Sequence, residues 1–126
     1  MQKLTFQSAW EKTIAEQDRE KIKQAFLNVR LSVGKDIQFT SLWQTKNHRG
    51  ELLVAVLIHN TSEQDFQFSD QKMRYKTNGK TLADHTFSPL IIVEKQTSMP
   101  WTFIFPVGRF DNTNHFEDGE LYLVGK

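Results

Sequence analysis

The chain has no cysteine among its 126 residues, which excludes disulfides, thiolate zinc sites and cysteine nucleophiles. Long apolar runs are lacking too, since the longest, Leu52 to Ile58, falls far short of the roughly 20 residues that cross a bilayer. Neither sign of charge is in excess. The 16 Lys and Arg face 15 Asp and Glu, and a net charge of +1 gives no bulk attraction to nucleic acid or an anionic membrane. With 38% hydrophobic residues, the composition indicates one soluble globular domain over residues 1–126.

A secretory signal is also missing from the beginning of the sequence. The segment from Met1 to Ser8 has no continuous apolar core, and the acidic residues Glu11 and Glu16 follow soon after it. We therefore expect a cytoplasmic protein.

One amphipathic helix is predicted over residues 8–30. Ser8 and Glu11 have the spacing of a capping box, in which both side chains satisfy backbone N–H groups of the first turn. Gly34 is expected to end the helix. An apolar stripe at helical spacing comprises Trp10, Ile14, Ile22, Ala25, Phe26 and Val29. We expect the stripe to pack on the domain's own sheet, and binding of a partner is the alternative.

From Asp36 onward the apolar period changes from 3.6 to 2, which predicts strands. Ile37, Phe39, Ser41 and Trp43 alternate with polar or mixed neighbours, and the residues 47–50 have the chemistry of a hairpin turn. The next run, residues 51–58, is apolar on both faces and predicts a central strand covered on each side. Asn78 and Gly79 form the strongest short hairpin signal in the chain.

The last third of the chain predicts further strands. Pro89 and Pro100 bracket an apolar segment that we expect at a sheet edge, because proline cannot donate to a ladder. The run 101–105 predicts a strand with Trp101, Phe103 and Phe105 on one face. Residues 107–120 read as a polar loop and 121–124 as the final strand. The predicted fold is mainly β: an Ig-like β-sandwich of about seven strands over residues 36–125, with one N-terminal amphipathic helix.

Catalytic and metal-binding patterns are missing from the sequence. The four histidines, His48, His59, His85 and His115, form no pair at ligand spacing, and no nucleophile elbow occurs. The acidic segment 111–120 offers oxygen ligands for calcium, but Phe116 stands where an EF-hand needs glycine. We predict no enzyme, no cofactor, and no catalytic or metal-binding residue.

Binding of another protein is the remaining class of function. Large aromatic side chains supply most of the affinity at protein interfaces, and the candidates for partner contact are Trp43, Tyr75 and Trp101. Filling of the sandwich core is the alternative for these residues.

Four sequence blocks together resemble the SLAP domain of Gram-positive Firmicutes. They are residues 50–60, residues 68–75, residues 79–87, and the block Ser98-Met-Pro-Trp-Thr-Phe-Ile-Phe-Pro106, whose Pro-Trp-Thr-Phe-x-Phe strand is the most specific piece. The resemblance spans roughly Trp10 to Leu123.

The resemblance implies a role beside the accessory Sec system. The S-layer assembly protein of that system carries the domain in duplicate and assists export of surface-layer proteins through the accessory secretion ATPase, whereas this chain has room for a single copy. The implied partner is the export ATPase or an S-layer precursor. The family carries no catalytic motif.

Two other functions stay open at this stage. One is a small-ligand or metal-binding domain that uses the segment 111–120 together with a histidine. The other is a structural homo-oligomer formed through a free strand edge. The oligomeric state does not follow from the sequence.

Overall fold

The computed structural model describes residues 2–6, 14–32, 34–77, 79–87, 91–108, 110 and 119–124. Over these residues the chain forms one helix and nine strands, of which three have only two residues. The elements are β1 (Lys3–Leu4), α1 (Glu16–Asn28), β2 (Ile37–Lys46), β3 (Leu52–Asn60), β4 (Phe66–Gln67), β5 (Gln71–Thr77), β6 (Lys80–Phe87), β7 (Ile92–Val93), β8 (Thr97–Phe105) and β9 (Glu120–Val124).

The strands form three sheets. A four-stranded sheet has the order β1-β8-β3-β2, a three-stranded sheet has the order β6-β5-β9, and β4 pairs with β7. All pairings are antiparallel except that of β1 with β8. The predicted mainly β sandwich with one helix is confirmed.

Strand β3 lies in the middle of the four-stranded sheet, between β2 and β8. Every residue from Val54 to Asn60 is buried. Val54, Val56 and Ile58 belong to the core between the sheets, whereas Ala55 and Leu57 alternate with them and are buried on the opposite face. The prediction of a central strand covered on both sides is therefore confirmed.

A cluster of phenylalanine rings fills the core between the sheets. Phe103 of β8 lies at its centre, with ring centroids 6.3 Å from Phe39, 5.9 Å from Phe68 and 5.1 Å from Phe87. The contacts with Phe39 and Phe87 are edge-on, the arrangement that aromatic quadrupoles favour. Trp101, Phe103 and Phe105 share the core face of β8, as the alternation predicts, because they pair with the core-facing residues of β3.

Both predicted hairpins form. In the turn between β2 and β3, the Asn47 side-chain oxygen accepts hydrogen bonds from the backbone N–H groups of Arg49 (3.0 Å) and Glu51 (2.9 Å). Gly50 has a φ of +83°, which favours glycine. The β5–β6 hairpin has a two-residue loop, with Thr77 opposite Lys80 and Gly79 at a φ of +78°. Asn78 lies outside the described residues.

Helix α1 is shorter than the predicted range 8–30. Ser8, Trp10 and Glu11 lie outside the described residues, and Ala15, with a ψ of 150°, precedes the helix. The helix begins with Glu16 and Asp18, whose carboxylates suit the positive end of the helix dipole. It ends at Asn28 because the β-branched Val29 adopts an extended conformation, so Gly34 lies well beyond the helix end.

The helix packs on the outer face of the four-stranded sheet, on the side of β2. Ile22 is fully buried yet does not belong to the core between the sheets, and the same holds for Ala55 and Leu57 of β3. We call this face of the sheet the helix side. The Arg19 guanidinium stands 5.0 Å from the centre of the Phe6 ring, so the helix also contacts the N-terminal segment.

No helix in the described part of the chain has the length and apolar character required to cross a membrane.

Strand β8 begins earlier than the sequence predicts and runs through Pro100. The carbonyls of Gln96 and Ser98 accept hydrogen bonds from the N–H groups of Lys3 and Thr5, so alternate residues of β8 face the edge on which β1 lies. Pro100 continues this series, and its nitrogen faces the edge just past the end of β1. Its missing N–H therefore costs no ladder hydrogen bond.

Asn60 ties the end of β3 to the next connection. Its side-chain nitrogen donates to the carbonyls of Gln64 (2.8 Å) and Val93 (2.9 Å), and its oxygen accepts from the N–H (3.0 Å) and hydroxyl (2.7 Å) of Ser62. The amide is fully buried, so each of these bonds replaces water.

Replacing Asn60 by alanine should lower the free energy of unfolding by about 2–4 kcal/mol, because the buried Val93 carbonyl loses its donor and the links to Ser62 and Gln64 are lost. Urea unfolding monitored by tryptophan fluorescence measures the change. Asn28→Ala, at an exposed position of α1, is the matched control, with an expected effect of less than about 0.5 kcal/mol. Equal effects of the two substitutions would contradict the role of the Asn60 amide.

Candidate interaction surface

A β-bulge in β2 turns Trp43 toward the helix side of the sheet. Ser41 pairs with Val56, whose side chain faces the core, but Trp43 pairs with Ala55, whose side chain faces the helix side. Leu42 is the extra residue between these two pairs. The prediction that Trp43 shares a face with Ile37 and Phe39 is therefore wrong, because the bulge shifts the alternation by one residue.

Trp43 and helix α1 form a joint surface. The Lys21 ammonium lies 5.5 Å from the centre of the Trp43 ring, within the range of a cation–π interaction. Trp43 remains half-buried, so part of its ring is accessible. A depression of about 790 Å³ borders the first turns of the helix, with Glu16, Glu20 and Lys21 on its wall. We call Trp43 and these three helix residues the helix surface.

The other two predicted contact residues have different environments. Trp101 lies on the core face of β8 and packs against the core, with part of its side chain accessible. Tyr75 of β5 is only 1% exposed and belongs to the core itself, where its ring leaves no room for a Cβ at Gly119. Burial removes the reason for expecting Tyr75 at an interface. Partner contact through Trp43 and Trp101 stays a prediction.

The apolar stripe of the helix faces inward. Ile22 is buried and Ala25, Phe26 and Val29 are half-buried, which agrees with packing on the domain's own sheet. Leu27 is 70% exposed, but it does not belong to the stripe. The face of α1 that remains available to a partner is therefore its charged face.

A buried polar chain crosses the helix side at the end of β3. Both ring nitrogens of His59 contact hydroxyl groups, Nδ1 that of Ser98 at 2.6 Å and Nε2 that of Thr40 at 2.7 Å. The side-chain nitrogen of Gln2 donates to the Ser98 oxygen at 3.1 Å. A neutral imidazole satisfies both contacts, because one ring nitrogen donates its N–H to one hydroxyl and the other ring nitrogen accepts from the second hydroxyl.

Ser98 and His59 are the residue types of a catalytic nucleophile and its base, but a substrate cannot reach them. Both residues are fully buried. The other ring nitrogen contacts the hydroxyl of Thr40 rather than a carboxylate, which would orient the base in a catalytic triad. The chain of hydrogen bonds instead links β2, β3 and β8 with Gln2, the residue before β1. No spacing signal in the sequence identified it, because its members are far apart along the chain.

Of the remaining histidines, the structure describes His48 and His85, which lie in separate places. His48 is exposed in the β2–β3 turn, and His85 of β6 packs edge-on against Phe87 at 4.9 Å. His115 and residues 111–118 of the predicted calcium segment lie outside the described residues. Among the residues described, no three His, Asp or Glu side chains come close enough together to hold a metal ion.

These observations define a small β-sandwich domain with one helix packed on its outer face. The sequence model of the SLAP domain matches residues 4–119. The chain thus belongs to the SLAP domain family, and the resemblance carried by the four sequence blocks is confirmed. No curated protein and no solved structure gives a match.

Burial lowers the pKa of His59 from 6.5 to about 4. Between these pH values the unfolded chain binds a proton at His59 that the folded domain does not bind. The free energy of unfolding therefore has its full value above pH 6.5 and decreases as the pH falls toward 4. The loss is at most roughly 1.4 kcal/mol per pH unit.

The free energy of unfolding should therefore decrease by about 2–3 kcal/mol between pH 7 and pH 4.5 through His59 alone. Urea titrations at several pH values of the native chain, His59→Gln and the control His48→Gln measure this slope. His59→Gln should flatten the slope, and His48→Gln should leave it almost unchanged. If His59→Gln has the same slope as the native chain, the loss of stability at low pH does not arise from His59.

Proposed function

We propose that this chain is a non-enzymatic protein-interaction domain that works in the cytoplasm and assists the export or assembly of S-layer proteins with the accessory Sec system. Membership of the SLAP domain family carries the proposal. The partner is the accessory export ATPase or an S-layer precursor, as the family role implies.

The helix surface supports a binding role. Tryptophan is enriched among the residues that dominate binding energy, and a partner that covers Trp43 would remove its remaining exposed area from water. The Lys21 ammonium lies over the ring at 5.5 Å and favours one position of the indole before a partner binds. Glu16, Glu20 and Lys21 form a charged rim that suits a transient interface.

The buried Ser98–His59 contact supports the non-enzymatic part of the proposal. Among the described residues this pair most resembles catalytic machinery, but both side chains are buried. The contact therefore stabilises the fold and is not open to a substrate.

Affinity purification of the tagged domain from its host, followed by mass spectrometry, tests the partner. Enrichment of the export ATPase or an S-layer precursor over an untagged strain is the expected result. Purified domain and purified partner must then bind directly in a calorimetric titration. Enrichment of neither protein, or no direct binding, would overturn the export role.

Trp43→Ala should weaken that direct binding by about tenfold or more, the range expected when an interface anchor is truncated. Ile92→Ala is the control, since Ile92 is 51% exposed on β7, outside the helix surface. It should change the affinity by less than about twofold. Circular dichroism confirms that each variant is folded, and equal affinities of Trp43→Ala and the native chain would exclude the helix surface.

A further inference from the structure

Two free strand edges lie side by side in the described part of the chain. Strand β2 ends the four-stranded sheet and β9 ends the three-stranded sheet. The Ser41 hydroxyl donates to the carbonyl of Gly119 at 2.8 Å, immediately before β9 begins. Beyond this bond a cavity of about 460 Å³ lies between Ile37–Phe39 of β2 and Glu120, Leu121 and Leu123 of β9. We call this cavity the edge groove, and its volume falls within the roughly 300–1,000 Å³ of ligand sites.

The backbone of β2 presents hydrogen-bonding groups to the edge groove. The N–H of Thr61 donates to the carbonyl of Asp36, so Asp36 faces β3. Backbone groups alternate between the two edges of a strand, and Ile37 and Phe39 therefore direct their N–H and C=O groups away from β3, toward the groove. Strand addition needs such an open edge.

Four apolar side chains form the floor of the edge groove, while most of its accessible lining is polar. Phe39, Ile37 and Leu123 are partly buried against the core, and Leu121 is 4% exposed. Side chains of an added strand that point inward would meet these four residues.

The rim of the edge groove is basic. Arg30 and Lys35 lie on it with Glu120, which gives two positive charges against one negative charge. Both cations are exposed, and neither forms a salt bridge within the described residues. The Gln38 amide holds the rim segment in place, because it accepts from the N–H of Ser32 (2.7 Å) and donates to the carbonyl of Lys35 (2.9 Å). The rim is thus formed before any ligand binds.

We propose that the edge groove binds an extended segment of a protein partner in which apolar residues alternate with acidic residues. The segment adds to the edge of β2, its apolar side chains meet the floor, and its carboxylates meet Arg30 and Lys35. Side chains of a strand alternate between two sides, so the apolar floor and the basic rim together select this pattern. The inference rests on the proposed function in one respect, namely that the occupant belongs to a protein partner.

Two synthetic hexapeptides of alternating Val-Glu and alternating Val-Lys test the proposal by NMR titration of the full chain. The Val-Glu peptide should shift the amide signals of Ile37, Phe39 and Leu121 in a saturable manner, with an affinity about tenfold higher than that of the Val-Lys peptide. A Val-Glu peptide with a central proline should lose this binding, because proline removes a backbone donor. No saturable shift up to about millimolar concentration, equal binding of both charge types, or full binding of the proline peptide would overturn the proposal.

A double charge reversal provides the matched variants. R30E/K35E should abolish the preference for the Val-Glu peptide, whereas R49E/K95E, which changes the net charge by the same amount at exposed positions away from the groove, should keep it. Equal effects of the two double variants would overturn the proposal, since only the total charge would then matter.

The experiments distinguish failure of the export role from failure of the edge-groove proposal. Charge-selective peptide binding without capture of the export ATPase or an S-layer precursor overturns the export role and supports the edge groove. Capture of such a partner with no peptide binding, and with equal capture by R30E/K35E, overturns the edge groove and leaves the export role supported.

Discussion

Burial of β3 on both faces is the constraint on which the rest of the structure depends. A strand that is apolar on both sides needs a cover on each side. The three-stranded sheet supplies one cover, and helix α1 packs against β2 of the four-stranded sheet, outside this core. The phenylalanine cluster around Phe103 fills the core between the sheets, and Ile22 of the helix is buried outside that core. Because β3 is the middle strand, β2 and β8 are placed by their pairing with it, and the helix surface and the edge groove take their positions from β2.

The end of β3 carries two polar residues in buried positions. His59 and Asn60 are as buried as the apolar residues before them, so every polar atom there needs a partner within the protein. Thr40 and Ser98 supply the partners of the imidazole, and the Asn60 amide binds two carbonyls. The same burial that stabilises the strand makes the imidazole neutral, and the Gln2 side chain donates to the Asn60 carbonyl at this end of β3.

Short sequence patterns predicted much of this fold. The features that they did not predict depend on how distant strands pair. The turn at Asn47, the turn at Gly79 and the apolar run of β3 depend on short sequence patterns, and all three form as predicted. The bulge at Leu42 depends on the pairing partner of β2, which no local pattern reveals, and it reversed the predicted face of Trp43. The edge groove brings together strands about 80 residues apart in sequence, and so could not be found from spacing.

Native-state hydrogen exchange tests the central claim most directly. If β3 is the doubly covered centre of one cooperative domain, the amides from Val54 to Ile58 exchange most slowly, through global unfolding, and their exchange free energies equal the free energy of unfolding from urea titration. Faster exchange in β3 than in the β5–β6 hairpin would contradict the account, because the strand could then open while the rest of the domain stays folded.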